Sequence, residues 1–160
     1  MSTGITINVT AANIKAKGDG NYKGDFTFTQ TAGTPTVVDD KGNIDLKDVT
    51  GEADITFTWG SPTVTIDGVQ YAASYYYADS SGRNIKISKG KDSDPLKSGK
   101  NPPLTGSDEF IVDYSNSAAQ FTLVDKNADG DKYAYCMVAF VNIAGGRELY
   151  CDPKILNKPD

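Results

Sequence analysis

Residues 26–29 read Phe-Thr-Phe-Thr and residues 55–59 read Ile-Thr-Phe-Thr-Trp. An apolar side chain at every second position, with threonine between, cannot make one apolar stripe on a helix. It makes one apolar face on a strand. Tyr22, Phe26 and Phe28 share a face opposite Asp25, Thr27 and Thr29, and Ala53, Ile55, Phe57 and Trp59 share a face opposite Asp54, Thr56 and Thr58. Ile5, Ile7 and Val9 repeat the pattern, which then slips at Ala11-Ala12 before Ile14. One extra residue there, a β-bulge, returns Ile14 to the inner face. Trp59 falls on the apolar face and reads as a core anchor.

Further short segments follow at Val37-Val38, Ile44–Leu46, Thr63–Ile66, Val69–Tyr77, Ile85–Ser88, Phe110–Tyr114, Phe121–Asp125, Tyr133–Asn142 and Glu148–Cys151. Asp40-Lys41-Gly42-Asn43, Gly60-Ser61-Pro62, Asp67-Gly68, Ser81-Gly82 and Gly145-Gly146 punctuate them with turn chemistry. No window carries a helical stripe. The expectation is an all-β chain, a single antiparallel immunoglobulin-like β-sandwich of about nine strands over residues 1–160. Tyr133–Asn142 is apolar on both faces, which predicts a central strand covered on both sides. Residues 88–109, rich in Lys, Ser, Gly, Asp and Pro, show no periodicity and read as one long polar loop.

The net charge of −5 argues against nucleic acid and anionic membrane, which need a basic face. No apolar run approaches the roughly 18 residues that span a bilayer, so no membrane insertion is expected. The first residues show no charged segment followed by an apolar run, which predicts a cytoplasmic protein, or an extracellular one if a leader was trimmed. In the cytoplasm Cys136 and Cys151 are expected as buried free thiols. Histidine is absent, which removes any Ser-His-Asp or Cys-His mechanism from this chain alone. Asp39, Asp40, Asp45, Asp48, Glu52 and Asp54 crowd one stretch, but nothing in the sequence sets one carboxylate apart from another as acid and base. The chain is therefore expected not to be an enzyme, and no cofactor is expected apart from calcium.

The calcium candidate is Asp125, Asn127, Asp129 and Asp131. The first three alternate, and Gly130 permits a sharp bend before Asp131, which is the first half of an EF-hand loop. The second half fails, because Tyr133 and Cys136 stand where the later ligands belong and the flanks are strands. A partial site completed by Glu148 or Asp152 is one reading; a hairpin tip built from good turn residues is the other, and the preferred one. The second candidate is a tyrosine surface, with Tyr71, Tyr75 and Tyr77 on one strand face and Tyr76 on the other. Tyrosine suits recognition of proteins or sugars, and it equally suits the edge of a core.

The segment from Phe121 to Asn142, followed by Gly146–Pro159, resembles the end of the DP-EP family of small bacterial proteins, which close in a "DPxIxN(x)P" pattern. Here that ending is Asp152-Pro153-Lys154-Ile155-Leu156-Asn157-Lys158-Pro159. The likeness covers about the last two-fifths of the chain. It implies a bacterial β-sandwich of unassigned function and supplies no catalytic residues. No Glu-Pro dipeptide occurs, and residues 88–109 stand as an insertion. Pro153 lacks an N–H, so Asp152-Pro153 should end the last strand or lie on an edge. The expected function is a non-catalytic binding or assembly module acting on a protein partner or on itself. The alternative is a calcium-stabilised adhesin-like or carbohydrate-binding domain.

Overall fold

The alternating segments are strands. The computed structural model describes residues 2–76, 83–101, 109–128 and 131–157, without the side chains of 113–116 and 157. Its elements are β1 (Thr3–Ala16), β2 (Tyr22–Ala32), β3 (Ile44–Asp45), β4 (Ala53–Trp59), β5 (Thr63–Ile66), β6 (Val69–Ser74) and β7 (Ile85–Lys89). A helical turn α1 (Pro95–Ser98) precedes β8 (Phe110–Ser117), β9 (Gln120–Asp125), β10 (Tyr133–Val141), β11 (Arg147–Tyr150) and β12 (Lys154–Asn157). The all-β expectation holds.

Antiparallel pairing throughout does not hold. β1 pairs β4, β11 pairs β2 and β12 pairs β3 in parallel. The reason is that alternation reports which face a residue takes and not the direction of the neighbouring strand. β2 occupies one edge of β1 through its hairpin, and the other edge is filled by β4 after the long connection through β3. The resulting order is β3-β12-β10-β11-β2-β1-β4-β9-β8.

The bulge lies where the pattern slips. The β1–β2 register shifts between Ala12 and Lys15, Asn13 takes φ 52°, and Ile14 is buried. Ile5, Ile7 and Val9 of β1, Phe26 and Phe28 of β2, and Ile55, Phe57 and Trp59 of β4 form one wall of the core. Trp59 donates its Nε1–H to the Ala73 carbonyl at 3.1 Å, so its one polar atom is satisfied while the ring is buried.

β10 is the strand on which the other wall is built. β7 pairs Tyr133–Met137, the Asn84 carbonyl accepts from Val138 N–H, and β6 pairs Phe140 and Val141, all along one edge. β12 pairs Tyr133–Tyr135, Cys151 N–H donates to the Met137 carbonyl, and β11 pairs Val138–Val141 along the other. β11 and β12 thus form one strand interrupted at Asp152-Pro153, where proline has no N–H to offer. Ala134–Ala139 are all buried, as a central strand requires. Tyr135 meets Phe28 and Phe57, while Tyr75 meets Trp59 at 5.3 Å and Phe121 at 4.8 Å between ring centroids. Cys136 and Cys151 are free and buried.

The long polar loop is corrected in part. Ser88 and Lys89 complete β7, and Lys100 exchanges two 3.0 Å backbone hydrogen bonds with Ile87. Between them Asp94 caps α1, its Oδ1 accepting from Leu96 N–H at 3.0 Å, with Pro95 opening the turn. A capping Asp followed by Pro is a helix-start signal. A four-residue turn is too short to show periodicity, so the signal passes unnoticed in the pattern.

The two buried tyrosines differ in a testable way. Tyr135 O–H donates to the Gly42 carbonyl, tying β10 to the turn beside Phe28, whereas the Tyr75 hydroxyl has no hydrogen-bond partner among the described residues. Removing one member of a buried pair costs about 1–3 kcal/mol, while removing an unpaired hydroxyl is neutral or favourable. Chemical denaturation of Tyr135→Phe is expected to show that loss, and Tyr75→Phe a stability equal to or above the parent.

Candidate functional site

Four groups of side chains bear on function, beginning with the acidic hairpin. Asp125 ends β9 facing inward and is fully buried. Its Oδ1 accepts from Asn127 N–H at 2.9 Å, and Asn127 adopts φ 55°. Asn127 Nδ2 then donates to the Val49 carbonyl at 3.1 Å and the Gly51 carbonyl at 2.8 Å. Glu109 Oε1 accepts from Ala128 N–H at 3.0 Å. Asp131 turns to Lys89, 2.9 Å away. Asp129 lies outside the described residues. The structure therefore brings Asp125 and Asn127 together in an Asx turn that pins the hairpin to the segment before β4. Asp131 is directed to a lysine on β7. Among the described residues no group of three or more Cys, Asp or Glu is placed to hold a metal ion.

The tyrosines separate. β6 ends at Ser74, so the expected strand to Tyr77 is too long. Tyr75 is fully buried and offers nothing to a partner, while Tyr71 is half-buried against the core. Tyr77 lies outside the described residues. Tyr76, like Tyr71, is only partly buried, and it differs from Tyr71 in the polar groups gathered around it.

Around Tyr76 a cluster forms that the sequence pattern does not announce. Asn84, fully buried, accepts from Tyr76 N–H and donates to the Tyr76 carbonyl, both at 2.7 Å. This amide clamp acts as a one-residue strand partner and fixes the Tyr76 ring. The Arg83 guanidinium lies 3.9 Å from that ring's centroid, and the Phe140 ring meets it edge-on at 5.6 Å. On β11, Leu149 is fully buried, while Glu148 and Tyr150 alternate with it, Glu148 partly exposed and Tyr150 buried at the margin of the core. Tyr76 O–H donates to Glu148 Oε2 at 3.3 Å and Tyr150 O–H to Oε1 at 2.5 Å; Arg83 stands 3.6 Å from Oε2. Lys17 covers the Tyr150 ring at 4.4 Å and reaches Asp19 at 3.6 Å.

Burial, then the Glu148 carboxylate, pushes the Tyr76 phenol up to about 12. Burial and the hydrogen bond to Glu148 push Tyr150 higher still. Both phenols therefore remain hydrogen-bond donors at neutral pH. The cluster offers partly exposed aromatic and guanidinium groups, held by a shared carboxylate. The readable signal is Glu148 in alternation with the apolar Leu149, beside Phe140; the contribution of Tyr76 and Arg83 depends on tertiary folding.

Within the acidic stretch from Asp39 to Asp54, four of the six carboxylates are held in turns and pairs. Asp39 Oδ1 accepts from Lys41 N–H at 3.0 Å and Asn43 N–H at 2.9 Å, and Asp45 Oδ1 from Lys47 N–H at 3.0 Å. Glu52 faces Lys126 at 3.5 Å, and Asp54 accepts from Ser2 Oγ at 2.9 Å. No family model matches the chain, and no curated protein sequence matches it. Among the described residues no helix is long and apolar enough to cross a membrane.

For Asp39, slight burial works to raise the carboxyl, but the Asn43 and Lys41 donors outweigh it and hold it below its ordinary 3.8. A lowered folded value contributes stability that is present above the unfolded value and lost as pH falls through the folded one. Asp39→Ala should therefore lower the unfolding midpoint across neutral pH. The gap from the parent should close as pH drops below 3.8 in a melting series.

Proposed function

We propose that the chain is a non-catalytic binding or assembly module. It contacts a protein partner or a second copy through the face that carries Tyr76, Arg83, Glu148 and Lys17, with the buried Tyr150 beneath them. The observation that carries this reading is the shared Glu148 carboxylate, which holds a partly exposed tyrosine and arginine in fixed positions. Tyrosine and arginine dominate interface hot spots, and side chains already ordered lose little entropy on binding. Val69 is the one large hydrophobic exposed among the described residues, so the contact is of the polar, reversible kind and not an obligate apolar one. Along β10, Ala134–Ala139 are buried by their own neighbours, and Phe140 borders this face.

The same reading takes the two core walls as an immunoglobulin-like sandwich, supported by Tyr135 packing on Phe28 and Phe57. It also takes the chain as a DP-EP relative, supported by an ending in which Lys154–Asn157 forms the final strand. A reducing, cytoplasmic setting fits thiols whose ionisation is suppressed: burial raises Cys136 strongly and pushes Cys151 up to about 12.

A calcium-stabilised domain is the second reading, favoured by the fully buried Asp125 beside a buried Asn127 Oδ1 that lacks a hydrogen-bond partner among the described residues. A ligand bound only by the folded state raises its stability by mass action. Metal-stripped protein should then melt higher with millimolar calcium, and Asp129→Ala should abolish the rise; an unchanged midpoint removes this reading.

For the first reading, sedimentation over a wide concentration range and partner capture should be run on the parent, Arg83→Ala and Tyr76→Ser. Self-association or capture weakened by about tenfold or more in both variants, with melting temperatures near the parent's, is the expected result. A strict monomer that captures nothing overturns it, and a glycan-array hit would move the face to carbohydrate recognition.

A further inference from the structure

Two irregularities of the backbone meet at one place. The first is the β1 bulge, where Asn13 takes φ 52°, a conformation that non-glycine residues rarely adopt. The second is the break at Asp152-Pro153 between β11 and β12. β11 lies beside β2 only at Tyr22 and Lys23. Beyond them the chain stays with β10 and leaves the edge of β2 uncovered at Gly24 and Asp25. A groove of ≈ 190 Å³ opens there, lined by Asn13, Lys15, Lys23, Gly24, Asp25 and Asp152. Gly24 forms its floor: a Cβ there would lie 3.0 Å from the Ala12 carbonyl and 3.1 Å from the Ile14 side chain.

The charges in the groove are arranged against the ordinary rule. Lys15 and Lys23 are direct cross-strand partners, and like charges so placed repel. Among the described residues neither ammonium is in an ion pair. Asp25 is held by Asn13, whose Nδ2 donates to Oδ2 at 3.0 Å. Asp152 lines the groove from the other side. All four charged side chains are exposed, and none lies in the core. Bulges are over-represented beside functional sites, and local departures from good design concentrate there.

We propose that this groove binds a small zwitterion of the amino-acid type, its carboxylate between Lys15 and Lys23 and its ammonium against Asp25 and Asp152. The anionic end relieves the lysine repulsion, and the two aspartates neutralise the cationic end. The groove is smaller than the roughly 300–1,000 Å³ of ordinary drug-sized pockets, which excludes nucleotides and oligosaccharides. The site is separate from the Tyr76 face, so either can fail without the other.

The test is a two-dimensional amide NMR titration of the intact chain at low ionic strength. Glycine, β-alanine and γ-aminobutyrate serve as probes of increasing charge separation, with acetate and methylammonium as single-charge controls. Saturable shifts at the amides of residues 13–15, 23–25 and 152 with at least one zwitterion, and none with either control, are expected. Lys23→Gln and Asp152→Asn, both exposed, should weaken that binding by about tenfold or more with an unchanged melting temperature. Three results would overturn the proposal: no saturation by any zwitterion, acetate saturating as well as the best of them, or full binding in both variants.

Discussion

β10 must satisfy nine residues of backbone on two edges and bury apolar side chains on two faces. An unpaired buried amide or carbonyl is expensive, so each edge needs a partner along its whole length. That requirement arranges most of the second half of the chain. The two segments before residue 90 that touch β10 must share one edge, and the final segment must run the length of the other. Asn84 fills the gap between β6 and β7 with its own carbonyl, and Cys151 fills the gap between β11 and β12 with its own N–H. The aromatic core follows, because Tyr135 on the inner face of β10 is the point at which Phe28 of β2 and Phe57 of β4 converge.

What could be read from the chain was what depends on period two. Inward residues of β1, β2, β4 and β9, the bulge before Ile14, the anchoring role of Trp59 and the doubly covered strand all follow from which side chains alternate. Strand direction does not, because Ile55 faces inward equally well beside a parallel or an antiparallel β1. The two-residue β3 and the one-turn α1 are too short to carry a period at all. The break in the last strand was visible as Asp152-Pro153, but a proline says only that a ladder bond is missing, not that pairing resumes on the same edge at Lys154.

The candidate site was legible in the inverse sense. Of the residues with the strongest compositional signal, Asp125 and Asn127 form an Asx turn and Tyr75 is buried in the core. Asp, Asn and Gly recur at metal loops and at tight turns for overlapping reasons, since both need short side chains with oxygen near the backbone. Tyrosine recurs at interfaces and in cores because its ring is equally apolar in both. Local sequence cannot separate such cases. Separation needs to know whether the oxygen finds an N–H two residues away, as Asp125 does, and whether the ring lies under a second wall, as Tyr75 does. Tyr76 differs from Tyr75 by one position and therefore by one face. That single step, with the Asn84 clamp holding it, decides which tyrosine joins the core and which meets Arg83 and Glu148.

A physical asymmetry runs through the molecule. Where the chain packs inward, most local features agree with their neighbours: apolar residues alternate, turns carry Asp or Gly, and Asp94-Pro95 starts a helical turn, with the Tyr75 hydroxyl an exception. On the outer surface of β11, β2 and β1 that agreement lapses. Two phenols share one carboxylate, two lysines oppose each other across a hairpin, a non-glycine residue sits at positive φ, and a proline interrupts a ladder. Each departure could be repaired by a single substitution without disturbing the core, because the side chains concerned are at least partly exposed or lie at its margin. Stability is a small difference between large terms, and a run of avoidable local penalties on one face weighs against it. Two of these departures, the bulge at Asn13 and the break that begins at Asp152, meet at one groove at the margin of the core.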